Sequence, residues 1–94
     1  MIRRIVKMEF IPEQVDAFKQ IFEQSKPAIM KMKGCINVEL LRDTQRPELL
    51  FTLSDWYSEA DLDAYRSSEF FLKTWKNTKR LFALKADAWS LTVI

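Results

Sequence analysis

Residues 35–56 read CINVELLRDTQRPELLFTLSDW. The first eight alternate between apolar and more polar side chains, the period of two that sends neighbours to opposite faces of a strand. A polar run, Asp43 to Pro47, follows and suits a turn. Residues 48–56 are rich in strand-forming side chains and read as the return strand. Two strands joined by so short a connection pair antiparallel.

The segments on either side extend this unit. Residues 2–10, IRRIVKMEF, alternate again: Val6, Met8 and Phe10 against Ile5, Lys7 and Glu9. Pro12 suits a first helical turn. Helical spacing then continues to about Met32 through Val15, Phe18, Ile21, Phe22 and Ile29, with Pro27 predicted to kink or split the run. Gly34, the only glycine, fits a left-handed C′ cap. After residue 56, Ser58 to Asp61 is close to a capping box, with Asp in place of Glu or Gln. It opens a short helix through Leu62 and Tyr65. Ser67 and Ser68 break that helix and cap the next, predicted over roughly 69–84 with the stripe Phe70, Phe71, Trp75, Leu81 and Phe82. Residues 88–94, AWSLTVI, form the last strand. The order is β-α-β-β-α-β, a ferredoxin-like α+β fold with an antiparallel sheet, in one domain spanning 1–94.

Such a sheet carries helices on one face. The alternation assigns Val6, Met8, Phe10, Ile36, Val38, Leu40, Phe51, Leu53, Trp89, Leu91 and Val93 to that face. The other face collects Arg3, Ile5, Lys7, Glu9, Cys35, Asn37, Glu39, Leu41, Leu50, Thr52, Ser54, Trp56, Ser90 and Thr92. This second set is too apolar to stand in water and too polar for a dry core. It predicts a face covered by a second subunit and enclosing a pocket with polar handles. A solvated face with stray apolar residues is the plainer alternative.

Composition narrows the chemistry. The chain has 94 residues and a net charge of +2, with basic residues scattered rather than blocked, which argues against nucleic acid or an anionic membrane as partner. A domain this short buries only about 60–65% of its unfolded surface, so self-association would help it. No apolar run is long enough to span a bilayer. With a single cysteine and no leader pattern, the cytoplasm is the expected compartment. One glycine excludes a Gly-rich phosphate loop. The absence of histidine removes Ser-His-Asp and Cys-His arrangements, the commonest metal ligand and the usual neutral-pH base. No metal, flavin or haem motif is present, so no cofactor is expected.

Four stretches, residues 4–13 (RIVKMEFIPE), 34–41 (GCINVELL), 50–56 (LFTLSDW) and 58–71 (SEADLDAYRSSEFF), resemble the antibiotic biosynthesis monooxygenase domain. The resemblance covers almost the whole chain. It implies a dimer whose two sheets pack face to face as an α/β barrel, with a pocket in each subunit between sheet and helices. Members of that family include cofactor-free oxygenases of polycyclic phenols and anthrones, haem-degrading enzymes, and enzymes acting on a quorum-sensing signal. Trp56 matches the family tryptophan that lines the pocket. The helix position that holds a histidine in the haem degraders is Trp75 here, and their first-strand Asn is missing from residues 2–10. Haem degradation is therefore not expected, and the resemblance to the signal-processing branch, which relies on pocket histidines, is also weakened.

The resemblance and the residues together predict a cofactor-free monooxygenase acting on a small aromatic or phenolic compound. Trp56 and Asn37 are the candidate catalytic donors to a developing oxyanion, with Lys7 or Glu39 assisting the proton step. Tyr65, Phe71, Trp75 and Thr52 are the candidate substrate contacts. Each has a plainer reading: core aromatics for Trp56, Tyr65, Phe71 and Trp75, a satisfied interface amide for Asn37, and a cross-strand ion pair for Lys7 and Glu39. Arg66 reads as solvated and Cys35 as an inert small hydrophobe. The alternatives are a non-catalytic dimer that binds a small hydrophobic ligand, a purely structural dimer, and an isomerase of the muconolactone type, which shares the fold.

Overall fold

In the computed structural model, which describes residues 1–94, the three alternating segments and the C-terminal one become strands β1 (Ile2–Glu9), β2 (Cys35–Arg42), β3 (Leu49–Trp56) and β4 (Asp87–Thr92). Helix α1 (Val15–Met30) joins β1 to β2, and α2 (Glu59–Arg66) with α3 (Glu69–Lys79) joins β3 to β4. The sheet order is β2-β3-β1-β4 and every neighbouring pair is antiparallel, the ferredoxin-like arrangement.

Local signals set the ends of these elements. In the β2–β3 turn the Asp43 carboxylate accepts from the backbone N–H groups of Gln45 at 2.9 Å and Arg46 at 3.0 Å, so the side chain replaces a backbone turn. Ser58 caps α2 by accepting from the Asp61 N–H, and Ser68 caps α3 by accepting from the Phe71 N–H, both at 3.1 Å. Gly34 adopts φ +82°, the predicted left-handed geometry, but at the end of the α1–β2 connector rather than directly after the helix. The approach there is also close: a Cβ on Gly34 would fall on the Asp61 side chain.

Two helix expectations change. Helix α1 continues through Pro27 as one element. The bond Pro27 cannot donate would have gone to the Glu23 carbonyl, and both residues are exposed, so water can take its place. Helix α3 stops at Lys79, short of the predicted 84. Leu81 and Phe82 leave the helix because Phe10 and Phe82 form a β-bridge, and the Ile11 N–H is bonded to the Leu81 carbonyl. Long-range pairing overrides the helical period.

The larger correction concerns the faces. Across the ladder Met8 pairs with Leu50, Val6 with Thr52, Arg4 with Ser54 and Ile2 with Trp56. Directly paired residues share a face. Leu50, Thr52, Ser54 and Trp56 therefore lie on the helix side, while Phe51 and Leu53 lie outside, the reverse of the expectation. β4 is reversed in the same way: Ala88 and Ser90 pair with Val6 and Arg4, and Trp89 and Leu91 with Ile5 and Arg3. A bulge between Cys35 and Asn37 swings Cys35 toward the core and leaves Ile36 exposed, again opposite to the prediction. Alternation fixes which residues of an unbroken strand share a face, but β3 carries apolar residues in both phases and β4 turns its apolar phase, Trp89 and Leu91, away from the helices, so the core-facing phase was not legible from either strand alone.

The core joins Met8, Phe10, Val38, Leu50 and Trp56 of the sheet region to Val15, Phe18, Phe22, Ile29 and Leu62 of the helical layer. Trp56 and Phe10 are fully buried. No helix is long and apolar enough to cross a membrane.

Candidate active site

Between the sheet and its helices lies a cavity of about 270 Å³, of which 14 of 21 lining residues are hydrophobic. The strands supply its floor through Arg4, Val6 and Met8 of β1, Thr52, Ser54 and Trp56 of β3, and Ala88 of β4. The phase reversal explains the space: Thr52, Ser54 and Ala88 are small where Phe51, Leu53 and Trp89 would have filled it. Helix α1 forms one wall with Phe18, Ile21, Phe22, Ser25 and Ile29. The opposite wall comes from α2 and α3.

That wall is an aromatic ladder. Trp56 stacks on Tyr65 with ring centroids 5.0 Å apart and planes 23° from parallel. Tyr65 meets Phe71 edge-on at 5.0 Å, and Phe71 stacks on Trp75 at 6.0 Å. Such contacts hold flat surfaces in fixed orientation, and that suits a planar ligand.

Trp56, Thr52, Tyr65, Phe71 and Trp75 all line this cavity. Lys7, Asn37 and Glu39 do not. They lie on the outer face of the sheet, where Lys7 pairs with Phe51, Asn37 with Asp55 and Glu39 with Leu53. The Asn37 amide donates to the Glu39 carboxylate at 3.0 Å. The eight candidates therefore divide between two faces, because the bulged β2 and the flat β1 present these three away from the helices.

The polar chemistry inside the cavity differs from what the sequence suggested. The Trp56 indole N–H donates to the Ser54 hydroxyl at 3.0 Å. Trp56 thus has no free donor, and Ser54, with its lone pair engaged, keeps its own O–H to offer. Ser54 was not among the sequence candidates for the cavity, although its position two residues before Trp56 puts both on one face. The Tyr65 pKa is pushed up to about 12, by burial first and then by the charge of the Cys35 thiolate, so the phenol stays protonated and acts as a donor rather than a base. Burial also raises the Cys35 thiol, which keeps it in the unreactive form. Thr78 donates to the Thr74 carbonyl at 2.8 Å. No carboxylate, lysine or cysteine is in the lining; its charged members are Arg4 and Arg66. Nowhere are three or more Cys, Asp or Glu side chains grouped to hold a metal ion.

Comparison with known proteins adds the following. Residues 1–77 match the family model for antibiotic biosynthesis monooxygenase. No curated protein matches the chain. Among solved structures, a conserved protein from Methanosarcina mazei Go1 superposes with a TM-score of 0.92 at 23% identity, over 96% of this chain and 89% of that one. A structure described as an antibiotic biosynthesis monooxygenase gives 0.92 at 16% identity, over 100% and 99%. One from Bordetella bronchiseptica, described as a putative antibiotic biosynthesis monooxygenase, gives 0.88 at 22% identity, over 99% and 96%.

Proposed function

Given that the chain belongs to the antibiotic biosynthesis monooxygenase family, we propose that it is a cofactor-independent monooxygenase of small aromatic or phenolic compounds, working as a homodimer. The observation that carries this reading is the aromatic-walled cavity whose polar lining consists of hydroxyls and guanidinium groups able to donate, the Ser54 and Tyr65 hydroxyls and the Arg4 guanidinium among them.

Such a site suits a substrate that is its own reductant. A naphthol-like phenol reacts with one O2 to give a quinone and one water. One oxygen atom enters the ring, the other leaves as water with two hydrogens from the substrate, and the four electrons accepted by O2 come from the ring. The protein then has to bind a flat body, exclude water and stabilise negative charge on oxygen as it develops. Ser54, oriented by the Trp56 indole, and Tyr65 fill the donor role, while Phe71, Trp75 and Thr52 hold the ring. Lys7, Asn37 and Glu39 fit the contact between subunits better than the chemistry.

The dimer reading rests on the outer face. Ile5, Phe51, Leu53, Trp89 and Leu91 gather there, and Trp89 and Leu91 are each 46% exposed in the single chain. A second copy laid across it would cover this apolar surface.

Oxygen uptake with 1-naphthol, followed together with quinone absorbance, tests the reaction. Ser54→Ala and Tyr65→Phe are each expected to slow it on the order of 100-fold, and Asn37→Ala to leave it unchanged. Rates indifferent to both cavity substitutions would overturn the proposal. Saturable binding of naphthol without uptake would favour the second reading, a non-catalytic ligand-binding dimer, to which the lack of a proton acceptor in the lining already lends weight.

A further inference from the structure

The cavity lining is apolar or neutral except where Arg4 and Arg66 reach it. Arg4 stands in the middle of β1, half-buried, and its Nη1 donates to the Ser90 hydroxyl at 2.9 Å. Arg66 comes from the last turn of α2 and is exposed. The ion pairs of the molecule join Arg3 to Asp55 and Arg46 to Glu9 and Glu48; neither cavity arginine has one. Burial first, and then repulsion from Arg66, lower the Arg4 pKa; Asp63, which does not line the cavity, opposes this in part.

The half-buried Arg4 guanidinium has no carboxylate partner, and an anion in the cavity would supply a counter-charge to it and to the exposed Arg66. The same lining offers nothing to accept a proton from a neutral phenol. Both features point to the ionisation state of the ligand. Building on the reading of this cavity as the substrate site, we propose that it takes its aromatic ligand as a preformed oxyanion, a phenolate or enolate held by Arg4 and Arg66. Ionisation occurs in water, and the site selects the electron-rich anion that reacts with O2. The planar guanidinium suits this task, since it stays charged when partly buried and presents several donors to one oxygen.

The test uses 7-hydroxycoumarin, a flat bicyclic phenol that ionises in the neutral range with a separate phenolate absorption band, and its methyl ether 7-methoxycoumarin, which cannot ionise. With saturating protein, the apparent pKa of 7-hydroxycoumarin is expected to fall by about one unit, a tenfold preference for the anion. The Arg4→Gln/Arg66→Gln double variant should return it to the free value while still binding 7-methoxycoumarin, which reports that the cavity is formed. Arg66→Gln alone alters only an exposed helix end, so it tests the idea even if the double variant folds poorly; it should give part of that return. If both coumarins bind but the pKa stays or rises, or if the shift survives in the double variant, the oxyanion proposal is overturned while the cavity remains a ligand site. If neither coumarin binds, the reading of the cavity as a ligand site fails and the oxyanion proposal falls with it.

Discussion

On its helix side β3 presents Leu50, Thr52, Ser54 and Trp56; on its outer side the same strand presents Leu49, Phe51, Leu53 and Asp55. The outer set is more hydrophobic than the inner one through the middle of the strand. In a monomeric domain that would be the wrong way round, because apolar area removed from water stabilises by about 25 cal/mol per Å². The inner face has given up apolar bulk to leave a cavity with hydroxyl donors. The outer face keeps apolar bulk that only a further surface can cover. Alternate residues of one strand thus line a cavity on one side and an uncovered apolar surface on the other.

Substitutions on the two sides should fail differently, and the largest expected effect is on the inner one. Trp56→Ala removes a fully buried ring that stacks on Tyr65 and orients Ser54; a loss of about 3–5 kcal/mol is expected in denaturant unfolding. Leu53→Asp, on the outer face, should instead weaken self-association by at least about 100-fold, or about 3 kcal/mol, read as halved mass in sedimentation with the far-ultraviolet spectrum retained. A monomeric parent would break the comparison outright.

A smaller effect sharpens the picture of the inner face. The Tyr65 pKa is raised in the fold, to about 12 from 10. The unfolded chain therefore loses this proton first as pH rises. The stabilising contribution of the neutral phenol is complete below about pH 10 and is lost between about pH 10 and 12, up to about 2–3 kcal/mol. Alkaline unfolding of Tyr65→Phe should lack that increment; identical profiles would mean the hydroxyl is not buried as the structure has it. The smallest effect lies at the rim. Ser68→Ala deletes the cap of α3 and is expected to cost about 1 kcal/mol, seen as a lower melting temperature without change in mass.

Much of this was legible from residues that signal locally. Ser58, Ser68 and the Asp43 turn specified their elements because capping and turn bonds involve neighbours only two or three positions away. Trp56, Tyr65, Phe71, Trp75 and Thr52 are the sequence candidates that line the cavity. Arg4 and Ser54 line it too without having been singled out. Arg4 looked like one of several scattered cations, and Ser54 like a polar strand residue; nothing local distinguishes a guanidinium aimed at a cavity from one in water.

The sequence by itself determined the order of elements, the serine caps of α2 and α3 and, along each unbroken strand, which residues share a face, since these follow from backbone period and short-range hydrogen bonds. Only the tertiary structure decided which face the helices cover. The β1–β3 register sets that phase through pairs 40 to 54 residues apart in sequence, the Cys35–Asn37 bulge adjusts β2 against β3, and a one-residue shift would have exchanged every inner side chain for an outer one.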